Sequence, residues 1–492
     1  MYLFAFSMLG LILLNVTALK KDFHFLTEQY WSKGDACFIP SILGDFIILP
    51  PQELGWLVNQ PDDILDNMAQ IMEMIEPLYT ICSQYVVDHP SHHKIITRDL
   101  TRSLGELTSD VMNELAYALD AEWGIDTKGW KEVNPFTTLM NVVAQTANRV
   151  FVGTPLCRNK SFLENVLSFA SSVIPSALFI HFIPEFFRPS VAPLITWQNR
   201  RYRRKLAGLI ELECQQRQAL FNGAAKTDAQ HNDMLQWFIQ AAKDSDQPGE
   251  SDPSIICQRL LVVNFAAIHT TTLSITNVLY DLISSSSAAE VIHKLREEVS
   301  TVLLANDNIW TKHGISQLYK IDSTLKESMR LGELNAFGIQ RLVVKQDGIE
   351  SPISKTYLPE GTTVGIPNRA IHSDSRLYPN PDAYQPFRFS DLRNTSSTVV
   401  AEESQAGKTP TIPYTAKLSM ATTTPAYLPF GHGRHACLGR FFASNELKLL
   451  LAYIVQHYEL QTIEQRPERE WIGSMRICPM KNTIRVRRRE PV

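Results

Sequence analysis

From Ile255 to Ile283 the chain runs without a glycine or a proline, and most of its side chains are apolar. Such a segment reads as one long helix buried on most sides, which requires a large domain wrapped around it. A membrane span is excluded, because Asn264, His269 and Thr270-Thr271-Thr272 interrupt the apolar run. The chain has 492 residues, 44% of them apolar and 20% charged, enough to bury a sizeable core. A net charge of −4 gives no reason to expect nucleic acid as a partner.

Helical patterns continue after the central segment, over Ala288 to Leu304 and over Asp322 to Leu331. A short extended stretch, Phe46 to Pro50, lies near the start. Gly338 to Arg388 is rich in β-branched residues, glycine and proline, and reads as small strands and turns. Leu392 to Pro429 is rich in Ser, Thr and Pro and reads as a long surface loop. The fold class is therefore mainly α with a small β portion late in the chain. Val173 to Phe187 is apolar and broken by prolines, which fits either core or a surface loop touching a membrane. The basic run Arg200 to Lys205 reads first as a solvated helix face and next as a contact for anionic lipid.

Met1 to Leu19 carries no charge and is mostly apolar, and Lys20-Lys21 follow. The length just suffices for a spanning helix, and the downstream lysines place the rest of the chain in the cytosol. Residues 1–21 are thus expected to be an N-terminal membrane anchor, and 22–492 the folded body. A cleaved signal peptide is the competing reading, from Val16-Thr17-Ala18, but no charged residue precedes the apolar run. With the body in the cytosol, the sequons at Asn15, Asn159 and Asn394 stay idle. The seven cysteines are scattered and form no CxxC pair, which argues against zinc and fits a reducing compartment.

One cysteine stands apart. Phe430-Gly431-His432-Gly433-Arg434-His435-Ala436-Cys437-Leu438-Gly439 delivers Cys437 on a glycine-punctuated loop to the start of an apolar helix. Backbone N–H groups at a helix start favour an anion, so a thiolate is stabilised there. A cysteine thiolate is also an axial ligand of haem iron. For a lone cysteine the ordinary reading is a small buried hydrophobe; the loop weighs against it. Gly431, Gly433 and Ala436 also fit a dinucleotide-binding fingerprint. That reading fails, because Thr422 to Pro429 is not a buried strand and no acidic residue follows in a second strand.

Three other pieces belong with the loop. Glu327 and Arg330 share one face of the Asp322–Leu331 helix. Arg388 sits among aromatic residues in Pro386-Phe387-Arg388-Phe389. Ala266-Ala267-Ile268-His269-Thr270-Thr271 places two small residues, which let a flat ring approach, beside threonines that helix propensity does not explain. With these residues in this order, the chain resembles a cytochrome P-450 of the fungal, membrane-anchored type over nearly all of its length after the anchor. The loop is similar to the family pattern F-x-x-G-x-R-x-C-x-G, and Glu327, Arg330 and Arg388 resemble the family's Glu-Arg-Arg triad.

The resemblance implies a fold with haem b between the long central helix and the cysteine loop. It implies Cys437 as the axial ligand of the iron, and Phe430, Gly431, Gly433, Arg434, His435 and Gly439 around the cofactor. It implies insertion of one oxygen atom from O2 into a lipophilic small molecule, with Thr270 and His269 beside the oxygen site. No flavin or nicotinamide motif is present, so electrons would come from NADPH through a cytochrome P-450 reductase, with room for cytochrome b5, at the endoplasmic reticulum membrane. Substrate contacts implied by the resemblance are Phe265, Ala266, Leu334, Ala336, Phe337, Met475 and Ile477. They are mostly apolar, and the analogy with fungal relatives points to a terpenoid or similar secondary metabolite.

Two departures from the family pattern carry chemistry. His269 stands where the family usually has Asp or Glu, and either relays protons or closes a local hydrogen bond. His435 stands where an arginine would pair with a haem propionate, and Arg434 next door offers the permanent charge. Leu438, where many fungal relatives have proline, is read as harmless. The rival readings are a haem-thiolate isomerase or peroxygenase, which Thr270 disfavours, and a haem-binding sensor without turnover.

Overall fold

The computed structural model describes residues 30–39, 46–222, 231–393, 418–472 and 474–490. The expected anchor, and the sequons at Asn15 and Asn394, lie outside the described residues. The main helices are Thr101–Trp123 (α1), Pro135–Phe151 (α2), Lys160–His181 (α3), Trp197–Asn222 (α4), Pro253–Ile283 (α5), Ala288–Ala305 (α6), Tyr319–Leu331 (α7) and Arg440–His457 (α8). Their starts follow from local chemistry. Asn134, Asn159 and Asp252 each accept a backbone N–H at the head of α2, α3 and α5, and proline occupies the first turn of α2 and α5. Asn159, one of the three sequons, thus spends its side chain on a cap.

The long apolar segment is α5, which begins at Pro253, two residues before the expected Ile255. It packs against α2, α3, α4, α7 and α8. Several of its polar residues are hydrogen-bonded within the bundle or along the helix. Asn148 of α2 donates to Asn264 at 2.8 Å. The hydroxyls of Thr270, Thr272 and Ser274 each donate to the carbonyl four residues back, at 2.8 Å. That back-bonding is how consecutive poor helix formers stay helical. Helices α3 and α5 are both long and apolar enough to cross a bilayer, but α5 is buried in the bundle core.

The β portion forms four small sheets among the described residues. A five-stranded sheet runs in the order Cys37–Ile39 (β1), Phe46–Ile48 (β2), Thr363–Ile366, Gly338–Val343, Leu65–Asp66. Phe46–Ile48 pairs with Thr363–Ile366 in parallel, and the other pairs are antiparallel. Met475–Ile477 forms a hairpin with Glu470–Ile472. The expected strands between Gly338 and Arg388 appear, with a short helix, Asn368–His372, among them.

Two expectations need correction. Pro175 does not break the chain at Val173–Phe187; it is accommodated inside α3, which ends at His181. Of the expected surface loop Leu392 to Pro429, residues 394–417 lie outside the described residues, and Leu418 to Pro429 is not a surface loop. Leu418, Met420, Ala421, Tyr427 and Leu428 are buried, because the segment leads into the cysteine loop through the core.

Candidate active site

The cysteine loop closes on itself before α8 begins. The Cys437 N–H donates to the Phe430 carbonyl at 2.8 Å. Gly431 and Gly433 have φ of +71° and +73°, which side chains rarely adopt, and a Cβ on Gly433 would lie 3.0 Å from Val58. The glycines are therefore required by the turn and by the close approach of Val58, rather than by a nucleotide. Cys437 is exposed while the other six cysteines are buried. Its side chain borders open space, yet protein on its remaining sides pushes the thiol up from its ordinary value. Backbone N–H groups of Gly439 and Arg440 and the Arg440 charge act in the opposite sense. An anionic sulfur here meets ready donors, which suits a thiolate ligand.

Helix α5 exposes Ala266 and Thr270 in mid-helix, one turn apart on one face, while the residues from Thr271 to Ile283 are buried. Small Ala266 and Thr270 thus interrupt an otherwise buried helix with accessible surface. His269 points elsewhere. Its Nε2 lies 3.1 Å from the Ser171 hydroxyl on α3, and its Nδ1 is buried without a partner. Burial lowers its pKa and keeps the ring neutral.

At the rim of the loop, a cavity of about 180 Å3 is lined by Gly431, His432 and His435 and by Phe337 to Arg341. Arg341 is buried, donates among the described residues to the neighbouring Gln340 carbonyl at 2.7 Å, and has its pKa lowered to about 10 by burial. Arg434 and His435 both reach Asp62, at 2.8 and 2.9 Å. An exposed thiol at a helix start, exposed small residues on α5 and basic side chains at the loop's rim are the groups that a flat, doubly carboxylated macrocycle such as haem would use.

Beneath the loop lies the triad. Arg330 grips Glu327 with two donors at 2.9 Å, and Arg388 adds contacts at 3.0 and 3.1 Å. Arg330 also donates to the His372 carbonyl at 2.6 Å, and the His372 ring accepts the Leu428 N–H at 3.1 Å. A rigid path therefore joins the triad to the residue two before Phe430.

The apolar positions divide. Leu334, Met475 and Ile477 meet around Leu273 of α5, with Phe136 and Met480. Phe265 is half-buried on α5. Ala336, expected at a pocket wall, has no exposed surface and packs with Trp31 and Ile48; Phe337 joins that cluster and also borders the cavity. Sequence reading missed Asp62, Arg341, His372 and Ser171. Each reaches the site from a segment with no motif, and Asp62 is 373 residues from His435.

A family model described as Cytochrome P450 matches residues 78–482. The cytochrome P450 monooxygenase gloP of Glarea lozoyensis is 34% identical over 485 residues, covering 94% of this chain and 86% of that protein. The cytochrome P450 monooxygenase pbrC of Penicillium brasilianum is 30% identical over 478 residues, covering 94% and 85%. Among solved structures, the cytochrome P450DA heme domain superposes with a TM-score of 0.66 at 18% identity, over 94% of this chain and 91% of that one. Retinoic acid-bound cyanobacterial CYP120A1 gives 0.67 at 19% identity, over 95% and 94%.

Proposed function

The chain belongs to the cytochrome P450 family of haem-thiolate monooxygenases, and on that premise we propose that it oxygenates a bulky lipophilic substrate, of terpenoid or related fungal secondary-metabolite type, with Cys437 as the haem ligand. The observation that carries the reading is the exposed Cys437 thiol on a closed loop with backbone donors at a helix start. When bound, haem supplies the activation of O2. The residues of the chain do the rest. Gly439 and Arg440 hold charge on the sulfur, and Gly431 and Gly433 keep the loop thin. Arg341, Arg434 and His435 are the residues that would hold the carboxylates of the macrocycle, with Phe430 beside them. Thr270 presents its oxygen to the open side while its proton rests on the Ala266 carbonyl; a back-bonded hydroxyl is a proton donor that needs only to rotate. His269, tied to Ser171, serves in this reading as a neutral cross-helix contact.

The substrate wall is Leu334, Met475 and Ile477 with Phe265, Ala266 and Phe337. Its apolar character excludes water and favours a lipophilic ligand. Electrons come from NADPH through a reductase at the endoplasmic reticulum membrane. The exposed aromatic and aliphatic residues Phe179, Phe186, Phe187, Leu194 and Trp197, followed by Arg201, Arg204 and Lys205, form a surface suited to an anionic bilayer.

A reduced carbon monoxide difference spectrum tests the ligand. The wild type is expected to show the red-shifted thiolate band and Cys437→Ala to lack it; the same band in both would overturn the assignment. Substrate-dependent NADPH oxidation with added reductase then separates a monooxygenase from a sensor or a reductase-independent isomerase.

A further inference from the structure

Glu446 lies on α8 and faces α1. It is 1% exposed, and neither carboxylate oxygen has a hydrogen-bond partner. Leu104, Leu107, Thr108 and Val111 of α1 surround it, with Phe442 and Leu449 of its own helix. None of these is charged. Among the described residues no charged group acts on Glu446 from the helices packed around it, and burial pushes its pKa up to about 8. At neutral pH the side chain is an uncharged acid with one O–H to donate and a carbonyl to accept. Buried groups of this kind are rarely left unpaired.

Beside it is a cavity of about 10 Å3, also bordered by Asn445. That is close to the least volume that holds one water. Thr108 donates its hydroxyl proton to the Leu104 carbonyl at 2.7 Å, which leaves its oxygen free to accept. Two carboxyl oxygens and one hydroxyl oxygen give a water the polar partners it needs.

We propose that the cavity between α1 and α8 is a binding site for one internal water, held between the protonated carboxyl of Glu446 and the hydroxyl oxygen of Thr108. The acid donates to the water, and the water donates to Thr108. The site ties α1 to the helix that carries the chain away from Cys437, and it holds only while the acid keeps its proton. Because the folded-state pKa is raised, the stabilisation is whole below the ordinary carboxylate pKa and is lost as the pH rises through about 8.

The test is infrared spectroscopy and thermal unfolding of the whole protein. At about pH 6, a carboxylic-acid C=O band sensitive to heavy water is expected in the wild type and absent in Glu446→Gln. Between about pH 5 and 8, the wild-type midpoint is expected to fall by several degrees more than that of Glu446→Gln. Parallel midpoints, or no Glu446-dependent band, would overturn the proposal. Should Glu446→Gln not fold, Thr108→Val keeps the acid and removes the water's acceptor. Its band is expected to move to higher frequency, and an unmoved band would count against the site. A dry cavity in a high-resolution crystal map would also refute it.

Discussion

Two clusters in this molecule each gather two basic side chains on one carboxylate, in opposite settings. Glu327 is held by Arg330 and Arg388; Asp62 is held by Arg434 and His435. The first cluster is sealed: the Glu327 and Arg330 side chains have no exposed surface, and Arg388 is 7% exposed. The second is open, with Arg434 and Asp62 at 43% and 51%. A buried carboxylate between two guanidiniums cannot exchange partners, because any unpaired member would be stranded without water. An exposed one can, because water and other anions compete for the same donors. The sealed cluster is thus built to fix the core beneath the cysteine loop. The open one is built to be re-paired at the cavity where an anionic edge would sit.

The widest separation between the clusters is expected on deleting each carboxylate. Glu327→Ala leaves Arg330 and Arg388 buried without a counter-charge, a loss of about 3–5 kcal/mol. That is enough to abolish folding at ordinary temperature. Expression with haem incorporation, followed by thermal unfolding, checks it. Wild-type stability in Glu327→Ala would erase the distinction between the clusters.

His372 sharpens the contrast, because it connects the sealed cluster to the loop. Its carbonyl accepts from Arg330 and its Nε2 accepts from Leu428, so the ring must be neutral with its proton on Nδ1. Burial, helped by Arg330 and Arg369, lowers its pKa to about 3. A depressed pKa means stability that is present above the ordinary histidine value and lost as the pH falls towards 3. His372→Ala is expected to cost about 2 kcal/mol near neutrality, since the buried Leu428 N–H loses its acceptor. It is also expected to flatten the acid limb of the stability–pH curve. An acid limb unchanged in slope would show that the ring is not the group that titrates.

The sealed cluster was largely legible in the sequence and the open one was not, for a physical reason. Glu327 and Arg330 are three residues apart on one helix, so their shared face follows from helical spacing. Likewise the Gly431, Gly433 and Cys437 pattern encodes a local turn, and the glycine-free run encodes α5. Asp62, Arg341 and Ser171 reach the site through sheet pairing and helix packing between distant segments, which leave no periodicity behind. His269 shows the limit within a motif: its place beside Thr270 was visible, but its partner on α3 was not. The proline in α3 misled for a related reason. Propensity weighs a local cost, while burial of Val173, Ala177 and Ile180 outweighs it.

The smallest expected effect lies in the open cluster, where it distinguishes a lock from a rest position. Asp62→Asn removes one exposed charge, so its effect on the unfolding midpoint should stay below about 1 kcal/mol and shrink further in salt. Arg434 and His435 would then have no fixed carboxylate to hold them. If the cluster is re-paired around the carboxylates of haem, the competitor's removal should slow haem transfer to apomyoglobin by roughly two- to fivefold, equivalent to less than about 1 kcal/mol. Faster haem loss would mean that Asp62 positions Arg434 and His435, as Glu327 positions its arginines, and the two clusters would then share one role in different settings.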